Sequence, residues 1–158
     1  MSVAKRLPNV IVPVLSSSNV STSPAASTAR PDVAIGLHAC GAASDAILDA
    51  AVDARARWIL LVPCCYARTV AFSTVAEARA ERLGVPKQAP VRRAFVESLI
   101  DAERTLRLEA AGYEVNVVAF VSKAVSGHNL LWRCRYIGEP NRMRESAARL
   151  LRLRAVDG

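Results

Sequence analysis

Continuous apolar runs alternate with amphipathic stretches along the middle of the chain. Residues 33–37 (VAIGL) and 58–62 (WILLV) are runs of the first kind, which is typical of strands buried on both faces of a parallel sheet. Between them, residues 44–55 carry apolar side chains at helical spacing, with Ser44 as the expected N-cap and Asp45 in the first turn. A strand, a helix and a strand in this order predict a right-handed parallel crossover between neighbouring strands.

Two further helices are predicted beyond the second strand. Helical spacing from about residue 73 ends at residue 83, and Gly84 follows as the stop signal. Apolar residues then recur at helical spacing through residues 95–106, and Gly112 lies past the end of that segment. Asp101 is a candidate start for a second helix within it.

The chain closes with a strand pair and a helix. Residues 114–121 and 129–136 are the predicted strands, and the short connection between them forces antiparallel pairing. Residues 141–154 form an arginine-rich amphipathic helix whose apolar side chains are Leu150, Leu151 and Leu153. The pattern predicts an α/β fold of parallel strands with a C-terminal antiparallel pair.

The N-terminal part of the chain differs in character. Residues 9–15 (NVIVPVL) are β-branched and suit a short edge strand, whereas residues 16–31 form a Ser/Thr/Pro/Ala tract with little to bury. We therefore expect three regions: an N-terminal segment over 1–31, an α/β domain over 32–138 and an arginine-rich helix over 139–158.

Composition and charge narrow the class of protein. The 158 residues are 52% hydrophobic and 22% charged, which suits one folded domain with a buried core. The formal net charge of +7 favours an anionic partner, of which RNA is the commonest candidate. The longest uncharged apolar run, residues 58–67, has about ten residues, well short of the roughly 20 that cross a bilayer. We therefore expect no membrane-spanning helix.

The cysteines bear on the compartment. They stand at positions 40, 64, 65 and 134, without the dense spacing of a secreted disulfide framework. A reducing compartment, the cytoplasm, is therefore expected. Residues 1–30 are rich in serine and contain basic residues but no acid, so a mitochondrial presequence is the alternative.

Chemistry-bearing residues follow the two apolar strands. The first strand is expected to end near His38, within the segment His38-Ala39-Cys40-Gly41, and the second runs into Pro63-Cys64-Cys65-Tyr66. Because parallel strands present their carboxyl ends at one edge of a sheet, these two segments should line a shared cleft.

Most of these residues allow two interpretations, one functional and one structural. His38 would position or deprotonate a substrate hydroxyl, or would pack as a neutral imidazole. Cys64 and Cys65 are candidate nucleophiles, although free cysteine also behaves as a small hydrophobe. Tyr66 would stack on a base. Asp45 would approach a cofactor, although an acid in the first turn of a helix already stabilises that helix.

A zinc site is a further reading of the same segments. His38, Cys40, Cys64 and Cys65 are ligands of suitable type, but their spacings are not those of structural zinc ribbons. We therefore expect no metal, and a metal-binding thiol protein is the weakest functional hypothesis.

Three segments together resemble a known family. GLHACGAASDAIL matches the pattern H-x-C-G-x-x-[ST]-D, VPCCYAR matches a later P-C-C-[YH], and the segment 101–134 is similar to the helix, Gly-Tyr turn and closing strand pair that follow. The family comprises S-adenosylmethionine-dependent methyltransferase-like domains, including those of glutathione S-transferase C-terminal-domain-containing proteins and, more distantly, tRNA 2′-O-methyltransferases. The resemblance covers roughly residues 32–137.

The resemblance implies a Rossmann-like sheet, S-adenosylmethionine as cofactor and RNA, including tRNA, as substrate class. It places His38, Ala39, Cys40, Gly41 and Asp45 on the cofactor side. Pro63, Tyr66 and Asn129 would lie on the substrate side, and His38, Cys64, Cys65 and Tyr66 are the catalytic candidates.

One family feature is missing from the sequence. The Gly-rich turn that holds the methionine end of the cofactor would precede Asp32, and no G-x-G occurs in the chain. The alternative to an enzyme is therefore a non-catalytic or truncated module that binds RNA or a protein. A partner chain would then complete the sheet at an exposed edge.

Overall fold

The protein is described here by a computed structural model that covers residues 10–11, 30–66 and 68–155. Its strands and helices, in chain order, are β1 (Val10–Ile11), β2 (Val33–Cys40), α1 (Ala42–Asp53), β3 (Trp58–Cys65), α2 (Ser73–Arg82), α3 (Ala89–Ala110), β4 (Tyr113–Ala119), β5 (Leu130–Tyr136) and α4 (Pro140–Arg154).

The described strands form one mixed sheet in the order β1-β2-β3-β5-β4. β1 pairs with β2 and β2 with β3 in parallel, whereas β5 is antiparallel to both β3 and β4. The expected neighbouring parallel strands and the antiparallel C-terminal pair are both confirmed. The result is a mixed α/β fold consistent with part of a methyltransferase-like sheet.

The main core lies between one face of this sheet and the helices α1 and α3. Alternate strand residues face it, as the period of two requires. They pack against Ile47 and Leu48 of α1 and Leu108 of α3. The sheet side of this core consists of Ala34, Ile59, Leu61, Trp132 and Cys134.

Close approach between α1 and β2 requires a glycine at position 36. A Cβ atom there would lie 2.8 Å from Leu61 Cδ1 and 3.0 Å from Ile47 Cδ1. The absence of a side chain at Gly36 therefore lets the apolar face of α1 settle onto the sheet.

A second, smaller core lies where α2 meets α3. Phe72, Ala76 and Ile100 are buried there, and Leu153 of α4 packs against them. Leu151, by contrast, is 71% exposed, so the expectation that it shares the apolar face of α4 is wrong. At 3.6 residues per turn, positions 151 and 153 point about 200° apart around a helix.

Both central strands run further than the sequence predicts. β2 continues past His38 to Cys40, and β3 continues past Val62 to Cys65. Pairing resumes after register shifts that follow Leu37, which a periodicity argument does not detect.

Helix starts also differ from the prediction. α1 begins at Ala42 with Gly41 as N-cap, so Ser44 is not the cap. The Ser44 hydroxyl instead donates to the Ala39 carbonyl over 2.7 Å. α3 is one continuous helix from Ala89, and Asp101 lies in its middle rather than at a helix start.

Two expectations on the N-terminal part lie largely outside the described residues. Of the predicted strand over 9–15, the structure describes Val10–Ile11, which is a strand. The linker predicted over 16–31 is described only at its last two positions. The boundaries proposed for three regions stay predictions. Within the described ranges, none of the helices is long and apolar enough to cross a membrane.

Candidate functional site

A disulfide joins the carboxyl ends of β2 and β3. Cys40 and Cys64 are bonded, with their Cα atoms 5.4 Å apart, well within the range that a disulfide spans. The cysteine spacing predicts reduced thiols, and this expectation is wrong for Cys40 and Cys64 because their pairing depends on the fold and not on their spacing. Parallel pairing of the two strands creates the proximity. The two expected segments do therefore meet at one edge of the sheet.

Cys65 completes a group of three sulfurs. The Sγ atoms of Cys40, Cys64 and Cys65 lie within 4.8 Å of one another, and the His38 imidazole is not part of this group. Cys65 is a free, half-buried thiol. Two of the three sulfurs are bonded to each other and are not thiolates in this state, so only Cys65 is available as a nucleophile or ligand.

His38 lies at the irregular end of β2. Its backbone φ is +52°, unusual for a residue with a side chain, and its side chain is exposed. Its carbonyl oxygen lies 3.5 Å from the Cys40 Sγ and 3.4 Å from the Cys64 Sγ. The residue thus stands beside the disulfide with its imidazole open to solvent.

Gly41 turns the chain from β2 into α1. Its φ of +52° and ψ of −126° form a combination open essentially to glycine alone. Its N–H donates to the Cys65 carbonyl over 3.4 Å, and the neighbouring Ala42 N–H donates to Thr69 Oγ1, also over 3.4 Å. This turn therefore ties the β2 end to the β3 end and to the segment after it.

Asp45, expected on the cofactor side, is held by α3. Its carboxylate accepts hydrogen bonds from Arg104 Nε at 3.1 Å and from Arg107 Nη2 at 2.8 Å. The Asp45 side chain is only 10% exposed, and that of Arg104 is fully buried. The structure thus gives Asp45 the role of an ion-pair partner between α1 and α3.

Tyr66 is surrounded by residues that the sequence pattern did not identify as site residues. Its hydroxyl donates to Asp101 Oδ2 over 2.9 Å. The Arg104 guanidinium carbon lies 5.5 Å from the centre of its ring, and the His128 ring centre lies 5.5 Å away as well. The only sequence signal for this group is the placement of two charged residues, Asp101 and Arg104, one turn apart inside an otherwise core-facing helix segment.

Burial shifts the protonation of the Tyr66–Asp101 pair. Desolvation raises the pKa of Asp101 to about 6, and the Tyr66 hydrogen bond and the Arg104 charge only partly oppose it. Burial, and then the nearby Asp101 charge, also raise the pKa of Tyr66 far above its ordinary value. Asp101 therefore gains and loses its proton near neutral pH, where Tyr66 remains a neutral donor.

Two buried polar atoms beside Tyr66 have no hydrogen-bond partner within the described residues. They are Asp101 Oδ1 and Arg104 Nη1, which face each other as an ion pair at 3.9 Å. Since buried polar groups are normally hydrogen-bonded, these two atoms keep unused hydrogen-bonding capacity beside Tyr66.

The remaining predicted residues have structural partners. Pro63 is buried within β3 and paired with Ala39, which is also buried. The Asn129 side-chain amide donates to the Val121 carbonyl over 2.7 Å and orders the connection between β4 and β5. Asn129 thereby fixes the position of its neighbour His128 against Tyr66.

Two residues that the resemblance places on the cofactor side are engaged in other contacts. Asp45, the acid in the first turn of α1, forms ion pairs with two arginines. The Gly41 N–H already donates to the Cys65 carbonyl. The described residues do not by themselves complete a pocket for S-adenosylmethionine.

Comparison with known proteins points to the same class of domain. Residues 5–71 match the family model of a methyltransferase domain. This range contains β1, β2, α1 and β3, and with them the disulfide and Tyr66, but not Asp101 or Arg104. No curated protein and no solved structure matches the chain. The match spans less than half of the chain and supports a methyltransferase-like domain built on its N-terminal part.

Proposed function

We propose that this protein is a methyltransferase-like protein that uses S-adenosylmethionine and acts on RNA, with tRNA as one candidate. The family match over residues 5–71 supports the reaction class. The H-x-C-G-x-x-[ST]-D and P-C-C-Y segments, and their distant resemblance to tRNA 2′-O-methyltransferases, support the cofactor and substrate class.

The observation that carries the proposal is the buried Tyr66–Asp101 pair at the end of β3. Methyl transfer to a hydroxyl requires that the attacking oxygen lose its proton. In this proposal Tyr66 Oη would accept that proton while its own proton passes to Asp101 Oδ2. The acceptor oxygen keeps its electron pair for the new bond to carbon. When bound, S-adenosylmethionine would supply the methyl group, and its sulfonium–methyl bond would break so that the sulfur leaves as a neutral thioether.

His38 and Cys65 have secondary roles in this proposal. The exposed imidazole of His38 would contact the target nucleotide or the cofactor rather than act as the buried base. Cys65 would line the pocket beside Tyr66. Residues beyond those described, or a partner chain, would complete the methionine end of the cofactor site.

Calorimetric titration with S-adenosylmethionine, followed by methyl incorporation into RNA from labelled cofactor, tests the proposal. We expect saturable cofactor binding, and a rate that rises with pH through about 6 because Asp101 must be ionised to accept the proton. Asp101→Asn should lower the rate by about a hundredfold or more without changing cofactor affinity. Arg149→Gln, an exposed change on α4, serves as the control.

The second candidate is a non-catalytic module that binds RNA or a protein. Two observations favour it: the lack of a G-x-G segment in the sequence and the occupation of Asp45 by arginines. If the chain binds RNA but does not bind S-adenosylmethionine at millimolar concentration, the enzyme hypothesis is rejected in favour of the non-catalytic module.

A further inference from the structure

The face of the sheet opposite α1 and α3 has a different chemistry. On β5, Trp132 and Cys134 face the core, so Arg133 and Arg135 lie on the other face, where both are exposed. On β3 the same alternation places Trp58 there, 37% exposed. In the described part of the chain, this end of the face is therefore basic and aromatic.

A shallow cavity of about 590 Å³ opens on this face. Three arginines line it, Arg133, Arg135 and Arg142, and the one acid among its lining residues is Glu114. The lining therefore carries two net positive charges. Such a surface attracts an anion, since a single carboxylate cannot neutralise three guanidinium groups.

The charges in this cavity are available to a ligand. The Arg133 side chain forms no hydrogen bond or ion pair with any residue that the structure describes. The ion pairs Arg135–Glu114 at 2.9 Å and Arg142–Glu139 at 3.6 Å are solvent-exposed. Exposed pairs of this kind contribute little stability, so a phosphate can replace the carboxylate at small cost.

Strand pairing sets the spacing between the charges and the aromatic ring. Trp58 is opposite Arg135 in the pairing of β3 with β5, and the Arg135 guanidinium carbon lies 6.0 Å from the centre of the Trp58 ring. A planar ring beside arginines is the combination that binds single-stranded nucleic acid, with bases stacked on the ring and phosphates on the cations.

We propose that this face, formed by Trp58, Arg133, Arg135 and Arg142, binds single-stranded RNA. The inference deepens the proposed function by naming the surface that anchors its RNA substrate, and it rests on that function for the choice of RNA. Trp58 begins β3 and Tyr66 follows its end, so the anchor lies on the order of 26 Å from the Tyr66–Asp101 pair along the strand. RNA held here would follow β3 along this face and pass around its carboxyl end to reach that pair, because Asp101 lies on the α3 side of the sheet.

Fluorescence anisotropy with a labelled oligouridylate tests the proposal. We expect Arg133→Gln and Arg135→Gln each to weaken binding severalfold and to reduce the salt slope by about 0.7, the value for one lost phosphate contact on a single strand. Trp58→Ala should weaken binding at least about fivefold, and Trp58→Phe should retain most of the affinity because it keeps a stacking surface.

A control variant tests whether RNA binding depends on this surface or only on the net charge of the chain. Arg149→Gln removes one exposed positive charge from α4, two turns beyond Arg142 and outside the lining of this cavity, and should change affinity and salt slope much less than Arg133→Gln does. Circular dichroism melting verifies that each variant is folded. Equal binding of inorganic polyphosphate or polyglutamate by the native chain would overturn the proposal, because neither offers a base to Trp58.

The outcomes also distinguish failure of the proposed RNA surface from failure of the proposed enzymatic function. If Arg133→Gln and Arg135→Gln bind RNA as the native chain does, this surface is the wrong one, whatever the cofactor titration shows. If they lose RNA affinity while the chain fails to bind S-adenosylmethionine, the surface stands and the enzyme proposal falls.

Discussion

At the scale of single residues, burial rather than residue type distinguishes the candidate site. Asp101 is one acid among many in the chain, yet desolvation moves its pKa to about 6. Tyr66 supplies a hydrogen bond and Arg104 a nearby charge, and both favour the ionised carboxylate without restoring the pKa to its ordinary value. The site therefore holds a carboxylic acid whose pKa lies near physiological pH.

A raised pKa makes stability depend on pH. Because Asp101 binds its proton more tightly in the folded chain than in the unfolded one, its contribution is full below about pH 4 and is lost as pH rises through about 6. The loss is at most about 3 kcal/mol. Asp101→Asn should abolish this part of the pH dependence, as measured by urea unfolding at several pH values. An identical pH dependence in the variant would contradict the assignment.

At the scale of elements, a buried ion pair joins α1 to α3. Arg104 is fully buried, and its guanidinium bonds to Asp45 of α1. Arg107 binds the same carboxylate from one turn further along α3. The two helices thus share a network of charged contacts, to which Asp49 of α1 also contributes by pairing with Arg107, and the Arg104 guanidinium lies against the Tyr66 ring.

Removal of the buried cation should destabilise the protein strongly. Arg104→Leu leaves Asp45 and Asp101 with fewer counter-charges, which should lower the free energy of unfolding by about 3–5 kcal/mol. Arg135→Gln is the control, since its exposed pair with Glu114 should change stability by less than about 1 kcal/mol. Chemical denaturation measures both. Similar small losses in the two variants would show that the Arg104 pair is not structurally important.

At the scale of the whole molecule, function-related features occupy opposite ends of one sheet. The disulfide, Cys65 and Tyr66 stand at the carboxyl ends of β2 and β3. The basic and aromatic cavity stands where β3 begins and β5 ends. A chain with a formal charge of +7 thereby concentrates part of its charge away from the site of the proposed chemistry.

The disulfide should stabilise the fold as a whole by restricting the unfolded chain. Its two cysteines are 24 positions apart, so reduction should lower the free energy of unfolding by about 3 kcal/mol. Thiol titration of the denatured, unreduced protein should find two reactive cysteines, Cys65 and Cys134. Cys40→Ser/Cys64→Ser should no longer respond to reductant. Four reactive thiols without reductant would refute the pairing.

Local pattern predicts the elements of this protein well and their contacts poorly. The runs at 33–37 and 58–62 identified neighbouring parallel strands, but the expected burial on both faces is wrong, since Leu37 is 67% exposed and Trp58 37% exposed. Helix α3 was predicted over much of its length, but Asp101 was misread as a helix start. A charged residue inside a helix looks like a terminus when its tertiary partner is unknown.

Hydrophobic periodicity, turn residues and loop length act between near neighbours in the chain, so the order and type of the elements can be read from the sequence. The partners at the site lie far apart in sequence: 24 positions for Cys40 and Cys64, 35 for Tyr66 and Asp101, and 59 for Asp45 and Arg104. Such pairs form when strands and helices pack, and packing also sets the burial that shifts the pKa of Asp101. The chemistry of the site is therefore a property of the folded arrangement.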